Sequence, residues 1–137
     1  MRFRPLALLM IGLLASCGAE VAAPAADHGP WRLDTLPALA EAKTAKRPAL
    51  LLFTAVWCPP CQQMEKEVLP QPEVLAALAR VQPIRVDADD AAAEDLFRRY
   101  HVQGTPTLLL VDAEGKETGR LEGFQAASAV IGLLPAK

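Results

Sequence analysis

The sequence predicts an α/β fold, in which a mixed central β-sheet is flanked by helices on both faces. Strand-like and helical patterns alternate from residue 35 to the end of the chain, which is typical of such sheets. Residues 49–55 are almost wholly apolar, so this strand is expected at the centre of the sheet with both faces covered. Two cysteines in a C-x-x-C pattern follow directly, where the strand passes into a helix.

Each remaining element has its own signal in the sequence. Pro70 ends one helix and Pro72, with Glu73 beside it, begins the next, because proline and an acid both suit a first helical turn. A turn at residues 112–115 joins the last two strands as a hairpin. The predicted elements are helix 35–45, strand 49–54, helix 59–69, a short helix from residue 72, strand 81–87, a helix from about residue 91, strand 107–111, a weaker strand 117–121 and helix 125–134.

Cys58 and Cys61 are separated by one helical turn, which suits reversible disulfide chemistry. Their Cα atoms are expected roughly 5 to 6 Å apart, a distance that a disulfide spans with little backbone movement. Cys61 shares a helical stripe with Met64 and Val68, so it is expected to face the core. Cys58 precedes that stripe at the helix start, where free N–H groups and the helix dipole stabilise a thiolate. We therefore expect Cys58 to be the exposed, attacking sulfur and Cys61 the resolving one.

The motif and its surroundings resemble one protein family. Trp57-Cys58-Pro59-Pro60-Cys61 follows an apolar strand, and Gly104-Thr105-Pro106-Thr107 comes about 45 residues later. With this combination the chain resembles the thioredoxin-fold thiol:disulfide oxidoreductases over about residues 31–137. The resemblance implies a single domain with the thioredoxin fold and a redox disulfide between the two cysteines. The chain looks most like the C-terminal domain of the periplasmic thiol:disulfide interchange reductase, in segments 61–66, 104–111 and 114–117.

The resemblance also implies roles for the residues around the dithiol. Pro106 is expected to form a cis peptide bond with Thr105 and to face the two sulfurs. The backbone of Thr105 is then expected to offer its N–H and C=O to an extended substrate segment, as in β-strand addition. Pro59 and Pro60 are expected to stiffen the first helical turn, where a missing N–H costs little. Trp57 is expected to form an apolar lip around the first cysteine.

Two positions bear on proton transfer. Members of this family usually carry a buried acid six residues before the first cysteine, where it helps to move the proton of the resolving thiol. That position is Leu52 in this chain, so the resolving step lacks its usual base, and Leu52 is expected to be a core residue. Glu65, four residues after Cys61, matches an acid that the reductase domain has near its active site. Glu65 is therefore interpreted either as a proton-handling group or as a solvated charge on the helix.

The first seventeen residues are interpreted as a lipoprotein signal peptide. Two arginines precede about eleven apolar residues, a run too short to span a bilayer permanently. Leu14-Ala15-Ser16-Cys17 resembles a bacterial lipobox, in which Cys17 becomes the lipidated N-terminal residue after cleavage. An ordinary cleavage site further on, after Ala25, would instead discard Cys17. Gly18 resembles a signal for outer-membrane rather than inner-membrane sorting.

Residues 18–30 are rich in alanine, proline, glycine and acids, so they are interpreted as a flexible tether with an r.m.s. span of roughly 20 Å. Residues 31–137 are interpreted as one domain, and the apolar content of 52% gives it enough core without a metal. Removal of the signal peptide, with Arg2 and Arg4, would leave 12 basic and 16 acidic side chains, a net charge of −4. This charge argues against binding to nucleic acid or to a membrane surface through basic residues.

No metal or haem motif accompanies the cysteines. A zinc or copper site built from Cys58, Cys61 and one histidine would lack a fourth ligand, and the chain has no second C-x-x-C. Covalent haem needs a histidine directly after the second cysteine, where a glutamine stands. His28 lies in the tether and His101 ends a helix, where a positive charge favours the helix dipole. We expect no dissociable cofactor, and the acidic loop 87–90 is expected to be solvent exposed.

Together these features predict a lipid-anchored periplasmic thiol:disulfide oxidoreductase that reduces the disulfides of periplasmic proteins. Its partners would be periplasmic protein thiols and disulfides, an upstream membrane electron donor and, through Cys17, the membrane; we expect a monomer. The prolines beside Cys58, the apolar lip and Leu52 all disfavour a thiolate, which favours a reductase. One alternative is a dithiol oxidase. The other is a binding or assembly module, such as a cytochrome c maturation partner, that holds a protein with little turnover.

Overall fold

A four-stranded mixed sheet forms the centre of the computed structural model, which describes residues 28–137. The strands are β1 (Ala49–Thr54), β2 (Gln82–Asp87), β3 (Thr107–Val111) and β4 (Glu117–Glu122). They lie in the order β2-β1-β3-β4, with β1 parallel to β2, β3 antiparallel to β1, and β4 antiparallel to β3. The most apolar strands, β1 and β3, are therefore the central ones, and the predicted mixed sheet is confirmed.

Helices lie at the predicted places, although two are shorter than expected by more than one residue. They are α1 (Thr35–Thr44), α2 (Pro59–Glu67), α3 (Pro72–Leu78), α4 (Glu94–Arg99, preceded by a 3-10 turn at Ala91–Ala93) and α5 (Ala127–Leu133). α2 ends before residue 69 because the N–H groups of Val68 and Leu69 both donate to the carbonyl of Met64, which interrupts the regular hydrogen-bond ladder. α5 begins after residue 125 because Ala126 is extended, with a ψ of 158°.

Hydrophobic cores lie on both faces of the sheet. Successive residues of β1 point alternately to the two faces. Leu51 and Phe53 pack beneath α1 and α4, whereas Leu50 and Leu52 pack beneath α2, α3 and α5. No residue of β1 is more than 1% exposed, which explains why the strand is almost wholly apolar. The prediction of helices on both faces is confirmed.

The loops at the carboxyl end of β1 bring the two sequence motifs together. The C-x-x-C segment leads from β1 into α2, and the loop before β3 contains Thr105-Pro106. The bond between Thr105 and Pro106 is cis, as the resemblance implies. The N–H of Gly123 donates a 2.8 Å hydrogen bond to the carbonyl of Pro106, which attaches the loop after β4 to the same end of the sheet. Open α/β sheets place their functional sites at this end of their strands.

The predicted membrane anchor lies outside this part of the chain. The signal peptide, with Cys17, and the tether up to residue 27 fall outside the described residues. Across residues 28–137, the helices are all too short or too polar to cross a lipid bilayer.

Candidate active site

Cys58 and Cys61 form a disulfide at the junction of β1 and α2. Their Cα atoms are 5.3 Å apart, within the distance that the spacing predicts. Cys58 is the N-cap of α2, and Cys61 is its third helical residue. The backbone N–H of Cys61 donates to the Sγ atom of Cys58 across 3.3 Å. The sulfur of Cys58 therefore occupies the place that a side-chain oxygen takes in most N-caps.

Pro59 and Pro60 determine which backbone groups face that sulfur. They fill the first two positions of α2, and neither has an N–H group. Of the first three helical residues only Cys61 has a donor, and this donor is directed at Cys58. A thiolate at Cys58 therefore receives a single backbone hydrogen bond from the first turn, which limits how strongly the helix start stabilises it.

The two cysteines differ less in exposure than the sequence predicts. Cys58 is 4% exposed and Cys61 is 1% exposed, so the expectation of an exposed attacking cysteine is wrong for the disulfide form. The reason is that both side chains pack into a small cluster with Ala55 and Ala88, which the helix-start position of Cys58 does not reveal. The sulfurs differ in surroundings instead, because Cys58 lines an open groove and Cys61 does not.

This groove, which we call the dithiol groove, has a volume of about 400 Å³. Residues 103–105 complete its lining. Its apolar lining consists of Trp57, Pro59, Ala88, Phe97 and Val102. Within residues 28–137, no group of three or more His, Cys, Asp or Glu side chains is arranged to hold a metal ion.

Thr105 lies directly beside the disulfide. Its carbonyl oxygen is 3.5 Å from the Sγ atom of Cys58. Thr105 and Pro106 also line a second groove of about 410 Å³, which His101 and Glu122 line as well. The C-x-x-C and Thr-Pro motifs, far apart in the sequence, therefore meet in one site.

Trp57 forms part of the rim of the dithiol groove and is 64% exposed. Its indole N–H donates to both carboxylate oxygens of Asp89, at 3.1 and 3.0 Å. The predicted apolar lip therefore has a polar attachment. The predicted solvent exposure of the acidic loop is confirmed for Asp89 and Asp90, whereas Asp87 is half-buried and pairs with Arg85. Asp90 also caps the 3-10 turn.

Leu52 and Glu65 both lie on the α2 side of the sheet. Leu52 is 1% exposed and packs in the core beneath α2, as predicted. Glu65 is more than a solvated charge, because its Oε1 accepts a 2.6 Å hydrogen bond from the hydroxyl of the fully buried Thr54. The same oxygen lies 3.7 Å from Nε of Arg85. Leu52, Glu65 and Arg85 also line a cavity of about 310 Å³.

Arg85 is a residue of this site that the sequence analysis missed. It lies between two core residues of β2 and is paired with Leu52 of β1. Its side chain is 14% exposed, and its Nη1 donates to Oδ2 of Asp87 at 2.7 Å. Burial raises the pKa of Asp87, but hydrogen bonds from the N–H of Asp89 and from Arg85 outweigh burial and lower the pKa below its ordinary value. A charged residue between two core residues is the signal that could have identified Arg85.

Comparison with known proteins identifies the family. A family model described as a thioredoxin-like domain matches residues 37–136. The chain belongs to the thioredoxin-like family. The disulfide between Cys58 and Cys61 lies within the matched residues.

Solved structures of the thioredoxin-like family share the fold of this chain. A thioredoxin from Thermus thermophilus is 36% identical, with a TM-score of 0.65, over 74% of this chain and 81% of that one. The C-terminal domain of DsbD from Neisseria meningitidis, in its reduced form, is 29% identical, with a TM-score of 0.61, over 70% of this chain and 87% of that one. The predicted thioredoxin fold and the predicted resemblance to the interchange reductase domain are both confirmed.

Longer bacterial proteins also match this thioredoxin-like chain. Thiol:disulfide interchange protein DsbD 2 of Pseudomonas aeruginosa is 46% identical over 81 residues, which are 58% of this chain and 14% of that protein. Thiol:disulfide interchange protein DsbD of Cronobacter sakazakii is 38% identical over 120 residues, which are 82% of this chain and 21% of that protein. The chain therefore spans only 14% to 21% of the length of these two relatives.

Proposed function

We propose that this protein is a lipid-anchored periplasmic thiol:disulfide oxidoreductase that reduces disulfide bonds in other periplasmic proteins. The observation that carries the proposal is the position of Cys58. Its sulfur caps α2, accepts the N–H of Cys61 and lies 3.5 Å from the carbonyl of Thr105. A polypeptide disulfide placed in the dithiol groove would meet Cys58 rather than Cys61, because only Cys58 lines the groove.

The proposed reaction consists of two successive thiol–disulfide exchanges. The thiolate of reduced Cys58 attacks one sulfur of the substrate disulfide, forms a mixed disulfide and releases the other substrate sulfur as a thiolate. The thiolate of Cys61 then attacks the sulfur of Cys58, closes the Cys58–Cys61 disulfide and releases the second substrate thiolate. Two electrons pass to the substrate in this cycle. A dithiol in an upstream membrane donor returns them by the reverse exchange.

Four further residues support this chemistry in the proposal. Thr105 and Pro106 bind the substrate backbone beside the disulfide, and Trp57 covers the substrate at the rim of the groove. Glu65 takes the proton of the resolving thiol. The support for Glu65 is its place one helical turn after Cys61, its contact with a buried hydroxyl and the lack of an acid at residue 52.

Cys17 is the proposed lipid anchor, at the end of a signal segment of residues 1–17 and before a tether of residues 18–30. The support is the apolar run that ends in Leu14-Ala15-Ser16-Cys17, and Gly18 favours the outer membrane. The several acyl chains of a bacterial lipoprotein hold a protein more firmly than a single chain does. Phase separation in a nonionic detergent tests the anchor. The wild type should enter the detergent phase. Cys17→Ala should stay in the aqueous phase or remain an uncleaved precursor. A soluble wild-type chain that begins after Cys17 would contradict the anchor.

Reduction of insulin by the purified full chain, with dithiothreitol as electron source, tests the enzymatic activity. Each wild-type molecule should reduce many insulin molecules, whereas Cys58→Ser and Cys61→Ser should each lose turnover because the two-step exchange needs both sulfurs. A binding module, the chief alternative, would instead capture a thiol partner in a one-to-one complex. Stoichiometric capture without turnover would therefore replace the proposed enzyme with the module.

A further inference from the structure

A series of polar contacts, which we call the polar chain, connects α2 with the rim of the dithiol groove. It runs from Glu65 on α2 through Arg85 and Asp87 on β2 to Asp89, which binds Trp57. We propose that Arg85 is a positioning residue for the exchange reaction, because it fixes Asp87 and, through Asp87, the Asp89–Trp57 rim. The inference rests on the proposed function, since it concerns how a protein substrate is held beside the disulfide.

Arg85 is the centre of the polar chain because its charge serves two carboxylates. Its Nη1 donates to Asp87 at 2.7 Å, and its Nε lies 3.7 Å from Oε1 of Glu65. The Nε atom is buried and has no hydrogen-bond partner among the described residues, so Glu65 acts on Arg85 through charge alone, while Asp87 supplies the hydrogen bond. The Arg85 side chain is 14% exposed, and the side chains of Glu65 and Asp87 are 31% and 25% exposed, so both pairs are partly shielded from water and salt.

Asp87 transmits this constraint to the loop after β2. Its Oδ2 binds Arg85, and its Oδ1 accepts the N–H of Asp89 at 3.1 Å. With both oxygens engaged, the Asp87 carboxylate is held in one orientation and keeps the Asp89 backbone beside it. The Asp89 side chain then holds the indole N–H of Trp57 with both of its oxygens. Trp57 is 64% exposed and has little packing around it, so this hydrogen bond sets the position of the rim.

The register of the sheet explains why the polar chain lies where it does. Arg85 is paired with Leu52, and Asp87 is paired with Thr54, along the parallel strands β1 and β2. Paired residues of parallel strands point to the same face, so all four side chains lie on the α2 side. There the hydroxyl of Thr54 reaches Glu65. Because Leu52 carries no charge, Arg85 pairs with carboxylates from α2 and from its own strand.

Fluorescence anisotropy of Trp57 tests the inference in the full chain. A Trp31→Phe background leaves Trp57 as the sole tryptophan. Arg85→Met removes the charge and keeps an apolar stem, so the anisotropy of Trp57 should fall. The KM for insulin should rise about fivefold while kcat stays within about twofold, since the rim positions the substrate and not the sulfurs. Arg85→Lys keeps the charge and should recover part of both effects.

Arg32→Met is the matched control, because Arg32 also pairs with two acids, Asp34 and Glu41, but takes no part in the polar chain. It should leave both the anisotropy and KM unchanged. If Arg85→Met does not fold, Asp87→Ala carries the test with the same expected results.

If folded Arg85→Met or folded Asp87→Ala has the same Trp57 anisotropy as the wild type, or the same KM for insulin, the inference is overturned. Failure of the proposed function gives a different result. The wild type would then not turn over insulin, while the anisotropy would still show whether Arg85 holds Trp57.

Discussion

The hydroxyl of Thr54 donates a 2.6 Å hydrogen bond to Oε1 of Glu65, and so joins the end of β1 to α2, which contains Cys61 and is capped by Cys58. Thr54 is fully buried, whereas the side chain of Glu65 is 31% exposed and lines a cavity. The carboxylate of Glu65 thus contacts a buried hydroxyl and the guanidinium of Arg85, while another part of it is open to water. A group in this position is suited to take a proton from the interior and pass it to solvent.

Glu65→Gln should slow the resolving step and leave the attack by Cys58 unchanged. Glutamine keeps an oxygen that accepts the Thr54 hydroxyl, but its amide does not act as a base at neutral pH. The mixed disulfide should persist about tenfold longer or more, as measured by acid quenching of a single turnover with insulin. Glu67→Gln on the same helix is the control, because the Glu67 carboxylate is exposed and, among the described residues, accepts a hydrogen bond only from the exposed Gln63. Equal lifetimes in the two variants would remove Glu65 from the mechanism.

Asp87 should make part of the stability depend on pH. Burial alone would raise the pKa of Asp87, but the N–H of Asp89 and the guanidinium of Arg85 lower it below the usual 3.8. A lowered pKa contributes stability that is fully present above the unfolded-state pKa and is lost as the pH falls through the folded-state pKa. Asp87→Asn should therefore reduce the free energy of unfolding more at about pH 6 than at about pH 3.

Urea unfolding at several pH values measures this difference. Asp95→Asn is the control, because the Asp95 side chain is 92% exposed. The control should show the same small effect at each pH. An Asp87→Asn effect that stays constant across the range would contradict the role given to this carboxylate.

The parts of the fold and site that depend on local patterns could be predicted from the sequence. The apolar run of β1, the prolines at 70 and 72, and the one-turn spacing of the cysteines each act within a few residues of their effect. The contacts of Thr54 with Glu65 and of Trp57 with Asp89 could not be predicted in this way. Their partners are 11 and 32 residues apart, and the contacts depend on strand register and on how α2 lies over the sheet. The burial of Cys58 depends on Ala88, another distant residue.

In the reduced protein, iodoacetamide should label Cys58 about tenfold faster than Cys61 or more near neutral pH. Cys58 lines the dithiol groove and receives the helix-start N–H, whereas Cys61 lies on the buried stripe of α2. Peptide mapping by mass spectrometry measures the two rates. Labelling of the urea-unfolded protein is the control and should be nearly equal at both positions. Equal rates in the folded protein would contradict the assignment of Cys58 as the attacking sulfur.

Cys61→Ser should accumulate mixed disulfides with periplasmic proteins, because Cys58 can still attack but no thiol resolves the adduct. Cys58→Ser should accumulate few, because the remaining sulfur does not line the groove. Nonreducing gels of whole-cell extracts, quenched with acid, show the adducts. Adducts confined to the Cys58→Ser variant would reverse the two roles.

The direction of electron flow depends on how stable the disulfide form is relative to the dithiol. Known potentials run from about −270 mV for thioredoxin to about −120 mV for the strongest periplasmic oxidant. Pro59 and Pro60 leave one N–H for the Cys58 thiolate, and the groove beside it is mainly apolar. No histidine stands within the motif to stabilise a thiolate by its charge. All of these features favour the disulfide and therefore a reductase.

We accordingly expect a reduction potential below roughly −200 mV. The gap between about −200 mV and the value of about −120 mV for the strongest oxidant corresponds to nearly 4 kcal/mol. Equilibration of the full chain with glutathione, followed by quantification of the two redox forms, measures it. Pro60→His restores an N–H and adds an imidazole, so it should raise the potential by about 30 mV, or tenfold in the equilibrium constant. Pro135→Ala, far along the chain from the motif, should leave the potential unchanged. A wild-type potential above about −150 mV would make the protein a dithiol oxidase and overturn the proposed direction.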